Sequence, residues 1–485
     1  MSPTHDVIVL GAGPVGENVA DRCSQGGLRV ALIESELVGG ECSFWACMPS
    51  KALIRPGLAL RAAQGISGAK QAVTAGIGVA QVLKRRNYIT ADWNDKGGEE
   101  WLQSAGIELI RGRGQLAGKK KVKVTKSSKE LSELEGKELE LEAKYAVVLS
   151  TGSDPMIPDT IKGIHDVKPW TSRDATSSQK VPESLLIIGG GVVACEMATA
   201  WSTLGSKVTL TSRGKLLSGV EPFAGEMVGE GLKKLGVDVR LGISPVSVFR
   251  NQERQVTVEF NDSARITASE VLVATGRTPR TKDIGLETVG LKDGQWIPVD
   301  DTLLVSHSTN TPTDPWLYAT GDINHRALLT HQGKYQARAC GDIIVSRANS
   351  SALQTSTWGM HVATADHSSV PQVIFTDPEV AAVGLTEAEA RKRGFEVKCV
   401  EYDMAGVAGA YLHADTYVGR AKMVVDRKRE VLLGVTFCGQ DVSELCHAAT
   451  IAVVGEVTVQ RLWHAVPAYP TISEIWLRLL EAYGR

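Results

Sequence analysis

Two cysteines five apart, Cys42 and Cys47, stand in the segment Gly39-Gly40-Glu41-Cys42-Ser43-Phe44-Trp45-Ala46-Cys47-Met48-Pro49-Ser50-Lys51. A close pair of this kind does redox or metal chemistry, and in both the thiolate is the working species. A helix starting after Gly40 would favour it, because free N–H groups and the helix dipole lower a thiol pKa. Structural zinc usually needs four Cys or His ligands at short spacing, and no second pair lies nearby in the sequence, so no metal site is expected. Lys51 follows Cys47 by four residues and can share its helix face. Cys23, Cys195, Cys340, Cys399, Cys438 and Cys446 are scattered and read as small buried apolar residues.

Two units of strand, glycine turn and helix are predicted around this segment. In the first, Asp6 to Leu10 is an apolar strand, Gly11-Ala12-Gly13-Pro14-Val15-Gly16 the turn, and a second strand ends at Glu34. Gly11 permits the tight turn, Gly13 lets backbone approach a pyrophosphate, and Gly16 lets helix and strand pack closely. Glu34 stands where a ribose hydroxyl would be bound. In the second unit Leu185 to Ile188 leads into Gly189-Gly190-Gly191-Val192-Val193-Ala194, and a strand from Lys207 ends at Thr211. No acid follows it; Ser212, Arg213 and Lys215 do, and a cation there favours the 2′-phosphate of NADPH, with NADH the alternative.

A chain of 485 residues needs more than one hydrophobic core. A net charge of −2 gives no electrostatic case for nucleic acid or an anionic membrane, so a small-molecule ligand is expected. The N-terminus shows no signal-peptide pattern and no apolar run reaches a membrane span, so the expected location is cytoplasmic. Residues 119 to 144 carry a lysine-rich and then a glutamate-rich stretch, expected as an exposed hairpin or loop. Residues 346 to 370, rich in Ser, Thr and Ala around Trp358, His361 and His367, read as a linker or surface insertion.

The segment from Gly39 to Lys51, with C-x4-C followed by Pro-Ser-Lys, resembles the redox-active disulfide of the class I pyridine nucleotide-disulfide oxidoreductases, which include dihydrolipoyl dehydrogenase, glutathione reductase and mercuric reductase. The resemblance runs along the whole chain through Thr151-Gly152, Ala274-Thr275-Gly276-Arg277, Ala319-Thr320-Gly321-Asp322 and Phe375-Thr376-Asp377-Pro378-Glu379. It implies an α/β fold with two Rossmann-like nucleotide-binding domains, for FAD and NAD(P), and an α+β C-terminal dimerisation domain. The implied boundaries are 1–165 for the first part of the FAD domain, 166–287 for NAD(P)H, 288–348 for the return, 349–370 for a linker and 371–485 for the interface.

The same resemblance assigns sites. FAD would be held by Gly11, Gly13, Pro14, Gly16, Glu34 and Ser35, by Gly40, Glu41, Cys42, Cys47 and Lys51, and by Gly114, Thr151, Gly152, Gly321, Asp322 and Thr330. The nicotinamide nucleotide would meet Gly189, Gly191, Val192, Val193 and Glu196, then Ser212, Arg213 and Lys215, then Ala274, Gly276 and Arg277. Cys47 would take electrons from the flavin and Cys42 would exchange with substrate. Lys51, paired with Glu196, would set its ammonium where negative charge grows on the flavin.

One departure bears on mechanism. The family generally ends in His-Pro-Thr-x-Ser-Glu, with the partner subunit's histidine as proton carrier; here Tyr469 takes the histidine's place in Ala468-Tyr469-Pro470-Thr471-Ile472-Ser473-Glu474. Tyrosine, with pKa near 10, donates a proton but is a poor base. His464, His331 and His367 are the available substitutes. A tyrosine there resembles mercuric reductase, yet the chain ends Leu480-Glu481-Ala482-Tyr483-Gly484-Arg485 without that enzyme's C-terminal cysteine pair. Phe44 and Trp45 either stack a planar acceptor or belong to the core. The expected activity is an NADPH- and FAD-dependent oxidoreductase working through Cys42/Cys47 on a disulfide or other small acceptor, in a homodimer with a shared site completed by Tyr469 and Glu474. The alternatives are a quinone or metal-ion reductase and a docking flavoprotein of a larger complex.

Overall fold

The computed structural model describes residues 4–125, 138–311 and 313–485. Its chain forms two compact units: the described residues up to 48, from 87 to 154 and from 277 to 367 make one, and those from 49 to 86, 155 to 276 and 368 to 485 make the other.

In the first unit β1 (His5–Leu10), β2 (Val30–Glu34), β3 (Glu108–Arg111), β4 (Arg113–Leu116), β5 (Lys121–Thr125) and β6 (Glu138–Leu149) lie in the order β3-β2-β1-β6-β5-β4, with Leu317–Ala319 also pairing β6. The strands β1, β2, β3 and the end of β6 run parallel, in a register that sets Val7 against Val30 and Val9 against Leu32. Their side chains are buried throughout β1 and β2 except at Asp6, the continuous apolar run of a sheet covered on both faces. Helix α1 (Pro14–Gln25) covers it and packs against the helix Thr330–Ala348. The approach is close because Gly341 has no side chain: a Cβ there would lie 2.5 Å from the Cβ of Arg22.

The charged stretch forms an antiparallel pair, β5 with β6, over buried Val122, Val124 and Leu141. Lys123 pairs with Glu138 at 2.5 Å and Lys120 with Asp314 at 2.7 Å. The stretch 126–137 lies outside the described residues. The expected surface insertion at 346–370 needs correction in part. Trp358 is exposed, but His361, Val362 and Ala363 are buried. His361 shares a hydrogen bond with Ser346 Oγ (3.0 Å) and accepts one from Gln354 N–H (2.8 Å), so a segment of polar composition folds back onto the core instead of running free.

The second unit holds a parallel sheet ordered Asp238–Leu241, Lys207–Ser212, Ser184–Ile188, Glu270–Val273, and a three-stranded antiparallel sheet from Pro245 to Ala268. Its C-terminal part is a five-stranded antiparallel sheet ordered Pro371–Ile374, Glu379–Gly384, Val431–Gly439, Arg420–Asp426, Val397–Asp403. Buried Lys422 ties elements of this unit together, bonding Glu221 at 3.0 Å and Glu387 at 2.8 Å. The parallel nucleotide-type sheets and separate α+β C-terminal part are the expected fold class. Of the scattered cysteines, Cys23, Cys195, Cys340, Cys438 and Cys446 are buried as expected; Cys399 is half-buried.

Candidate active site

Within the first unit the turn after β1 is built of backbone contacts only glycine permits. Gly11 has φ +99°, and a Cβ there would sit 2.5 Å from the Ser150 carbonyl oxygen. A Cβ on Gly16 would come within 1.9 Å of the Gly11 oxygen. Gly13 differs: nothing lies within 4 Å of a Cβ built on it, and it is the N-cap of α1 with Pro14 as first helical residue. An open backbone at a helix N-terminus is a cradle for an anion such as pyrophosphate. At the end of β2 the Glu34 carboxylate accepts from Ala12 N–H (2.7 Å) and Glu36 N–H (2.6 Å), leaving lone pairs for a hydroxyl, and burial pushes its pKa up. Ser35 beside it is exposed. These residues fit a flavin dinucleotide.

The same turn anchors the cysteines. Helix α2 (Gly40–Phe44) begins at Gly40, where φ is +54° and a Cβ would lie 2.8 Å from Gly13 Cα. Cys42 is the third residue of α2, and Cys47 opens helix α3 (Cys47–Gln64). Both are free thiols, hydrogen-bonded to each other. Cys47 Sγ lies 3.4 Å from Thr330 Oγ1, at the N-terminus of the helix Thr330–Ala348. The expectation of a lowered thiol pKa fails for Cys42, whose pKa is pushed well up, first by its hydrogen bond to Cys47, then by burial and then by the Cys47 charge. The proton therefore stays on Cys42. Phe44 is buried, the core alternative, and Trp45 half-buried, their rings 5.8 Å apart.

Around this pair, Asp322 accepts from Ser153 Oγ at 2.5 Å, Gly321 N–H donates to Gln336 Oε1 at 2.8 Å, and Thr151 Oγ1 donates to the Arg280 carbonyl at 2.7 Å. Gly152 has φ +77°, and Gly114 packs on Ile33 and Leu10. Arg277 donates to Ser153 Oγ and O at 2.6 Å and lies 4.0 Å from Glu41 and 3.8 Å from Asp322. Two carboxylates within ion-pair reach draw its guanidinium to this end of the strand.

In the second unit the glycine turn repeats the pattern. A Cβ on Gly189 would lie 2.2 Å from the Ala274 oxygen, whereas Gly191, N-cap of Val192–Thr203, has open space before it. Val193 is exposed and Gly276 has φ +148°. Ser212 is buried and Arg213 exposed, and Lys215 makes a long contact of 3.9 Å with Glu226. The residues fit a nicotinamide dinucleotide. Lys51 donates to the Glu196 carboxylate at 2.7 Å, and Glu196 also accepts from Phe375 N–H at 3.1 Å. The ammonium lies 5.0 Å from the Phe375 ring centroid.

Residues 5–337 match the pyridine nucleotide-disulphide oxidoreductase family, and residues 370–479 match that family's dimerisation domain. The chain belongs to this family. Among its relatives, the dihydrolipoyl dehydrogenase of Thermus scotoductus is 32% identical over 496 aligned positions, covering 99% of this chain and 97% of that one. The mercuric reductase of Staphylococcus aureus is 28% identical, covering 97% and 81%. The Cu(II) complex of the HOCl-induced flavoprotein disulfide reductase RclA from Escherichia coli shares the fold, with a TM-score of 0.80 at 22% identity over 99% of each chain.

The other residues expected to serve the thiols differ in exposure. Tyr469 is 75% exposed. Glu474 is buried and paired with Arg478 at 2.6 Å, while its Oε2 has no hydrogen-bond partner among the described residues. His367 pairs with Asp301 at 2.8 Å, a structural partner, and His464 is exposed. Several contributors escaped the sequence reading. Lys334 lies one turn beyond Thr330 and acts electrostatically on both Cys42 and Glu17. Arg280 pairs with Asp154 at 2.6 Å and approaches Glu41 at 3.6 Å. Only the i, i+4 spacing from Thr330 could have signalled Lys334; nothing local signalled Arg280. Among the described residues no helix is long and apolar enough to cross a membrane.

Proposed function

We propose that this family member is an NADPH-dependent flavoprotein that passes an electron pair to the Cys42/Cys47 disulfide and from there to a small disulfide acceptor. Bound FAD and nicotinamide would supply the relay of that pair from a hydride donor to sulfur. The observation that carries the reading is the contact between the two sulfurs, one helix-opening thiol and one thiol that keeps its proton, in a loop anchored on the first glycine turn.

The chain's own groups divide the work. Gly13 and the N-terminus of α1 would hold one pyrophosphate, Gly191 and its helix the other, and Glu34 a ribose. Cys47, beside Thr330, holds the thiolate; Cys42 gives up its proton as it attacks the acceptor disulfide and displaces one acceptor sulfur, which takes that proton, and Cys47 then attacks Cys42, closes the pair and releases the second acceptor sulfur. Lys51, held by Glu196, supplies positive charge for the reduced state. Arg213, exposed beside buried Ser212, supports the choice of a 2′-phosphate. The match to the dimerisation domain supports a homodimer in which Tyr469 and Glu474 serve the neighbour's thiols. We assign residues 371–485 to that interface.

Stopped-flow mixing with NADPH tests the reading. Reduction should produce a long-wavelength thiolate band that is absent in Cys47→Ser, and Cys42→Ser should keep the band while losing disulfide turnover. Full acceptor turnover in Cys42→Ser would overturn the thiol route in favour of direct flavin chemistry. An acceptor screen over glutathione-like and cyclic disulfides, quinones and thiophilic metal ions then identifies the substrate class.

A further inference from the structure

We propose that Trp93 is a positioning residue for the cysteine pair, its indole N–H fixing the backbone break between the two helices that carry Cys42 and Cys47. The proposal rests on the reading of that pair as the redox couple.

Three successive residues with side chains, Ala91, Asp92 and Trp93, have φ of 47°, 50° and 58°. Left-handed backbone is disfavoured for any residue with a Cβ, and a run of three persists only where surroundings impose it; such outliers cluster at functional sites. The turn is closed by Trp93 N–H to the Thr90 carbonyl (2.8 Å) and Asn94 N–H to the Ala91 carbonyl (2.9 Å). Its product is the direction of the Trp93 ring, whose Nε1–H donates to the Phe44 carbonyl at 3.1 Å.

Phe44 lies between the two cysteines, at the last residue of α2. The helix stops there because Trp45 leaves helical geometry (φ −135°, ψ −2°), so the terminal carbonyls of α2 lack a continuing ladder. The indole supplies a donor at that break. The same short stretch grips the segment at a second place. Asp95 accepts from Val38 N–H at 2.7 Å and from Arg111 at 2.6 Å, and Arg111 also donates to the Glu36 carbonyl at 2.9 Å. Thus Glu36, Val38 and Phe44 are all tethered to residues 93, 95 and 111.

A disulfide tolerates only a narrow range of Cβ separations and torsions, so the balance between dithiol and disulfide depends on how the backbone presents the two Cβ atoms. The break at Phe44-Trp45-Ala46 sets that presentation. Removing the indole N–H frees the Phe44 carbonyl and favours the open dithiol.

The test equilibrates the flavin-loaded enzyme with dithiothreitol buffers of fixed redox ratio. In the reaction the Cys42–Cys47 bond breaks, the cyclic dithiothreitol disulfide forms, and two electrons pass to the protein sulfurs, with one proton taken up by Cys42 and the other released to solvent. Alkylation and mass analysis of the Cys42/Cys47 peptide read the equilibrium constant. Trp93→Phe should shift it about tenfold toward dithiol, equivalent to about 30 mV. Flavin content and NADPH-driven ferricyanide reduction should stay within about twofold. Trp93→His, which retains a ring N–H on a shorter side chain, should fall between, and it serves as the readout if the phenylalanine variant does not fold. An unshifted constant in both variants overturns the proposal, as does loss of flavin and ferricyanide turnover in parallel with the shift. A wild-type pair that never exchanges with dithiothreitol overturns the redox reading beneath it, a result distinct from an unshifted constant.

Discussion

Glu17 gives the sharpest quantitative test of the electrostatics of the flavin-binding unit. It lies in the first turn of α1, half-buried, and its pKa is raised from 4.5 to about 7, mainly by burial, with Glu34 adding to the rise and Lys334 opposing it. A carboxyl with a raised folded-state pKa favours folding in its protonated form. Its cost is absent below about 4.5, grows as pH rises through that window and is complete above about 7. The rise from 4.5 to about 7, at about 1.4 kcal/mol per pH unit, sets a ceiling of about 3.5 kcal/mol at pH 8. Partial solvent access brings the expected value to about 2 kcal/mol. In a chain of this length 1 kcal/mol moves Tm by about 1 °C. Glu17→Gln should therefore melt about 2 °C higher than the wild-type holoenzyme at pH 8 and at nearly the same temperature at about pH 4, by differential scanning fluorimetry. Bound pyrophosphate would widen the gap, since the variant removes a like charge from its helix end. A difference that is flat across pH, or of opposite sign at pH 8, would refute this account of Glu17.

Three other outcomes are expected. Glu387 is held at about 2, first by Lys422 and then by Arg391, so its contribution is present above its ordinary value of 4.5 and lost as pH falls toward 2; Glu387→Gln should cost about 1–2 kcal/mol at pH 7 and nothing near pH 2, by urea unfolding. Arg213→Glu should lower the ratio of kcat/KM for NADPH over NADH at least tenfold, and an unaltered ratio would remove Arg213 from the nucleotide site. Tyr469→His should raise turnover of simple disulfides several-fold between pH 6 and 8, where imidazole exchanges protons and phenol does not; steady-state rates across that range check it.

The parts of the site that were legible in the sequence are those whose chemistry is local. Glycine spacing announced Gly11, Gly16 and Gly189 because each is forced by a backbone contact a few residues away or across one strand, and the apolar runs of β1 and of Leu185 to Ile188 announced parallel strands. What stayed hidden depended on distant partners. Arg277 follows a strand of the second unit, yet its guanidinium turns to Ser153 and Asp322 because two carboxylates lie there. The expected fall in thiol pKa considered each sulfur alone, whereas in the folded protein the nearest group to Cys42 is Cys47. Segment 346–370 looked polar by composition, and only the long-range burial of His361 and Ala363 reveals that part of it is core. Trp93 carried no sequence signal, since a left-handed turn built without glycine leaves no trace in local propensity.

The Glu196 carboxylate has a consequence for how the second unit holds together. Its two oxygens belong to one rigid planar fork, one receiving the Lys51 ammonium and the other the Phe375 amide. Swinging the fork to follow either partner withdraws it from the other. Any shift of the helix that carries Glu196 is therefore felt at once by the Lys51 ammonium and by the chain leaving the first strand of the C-terminal sheet. The residue works as a yoke, and a shorter aspartate, unable to span both, would uncouple the two ends.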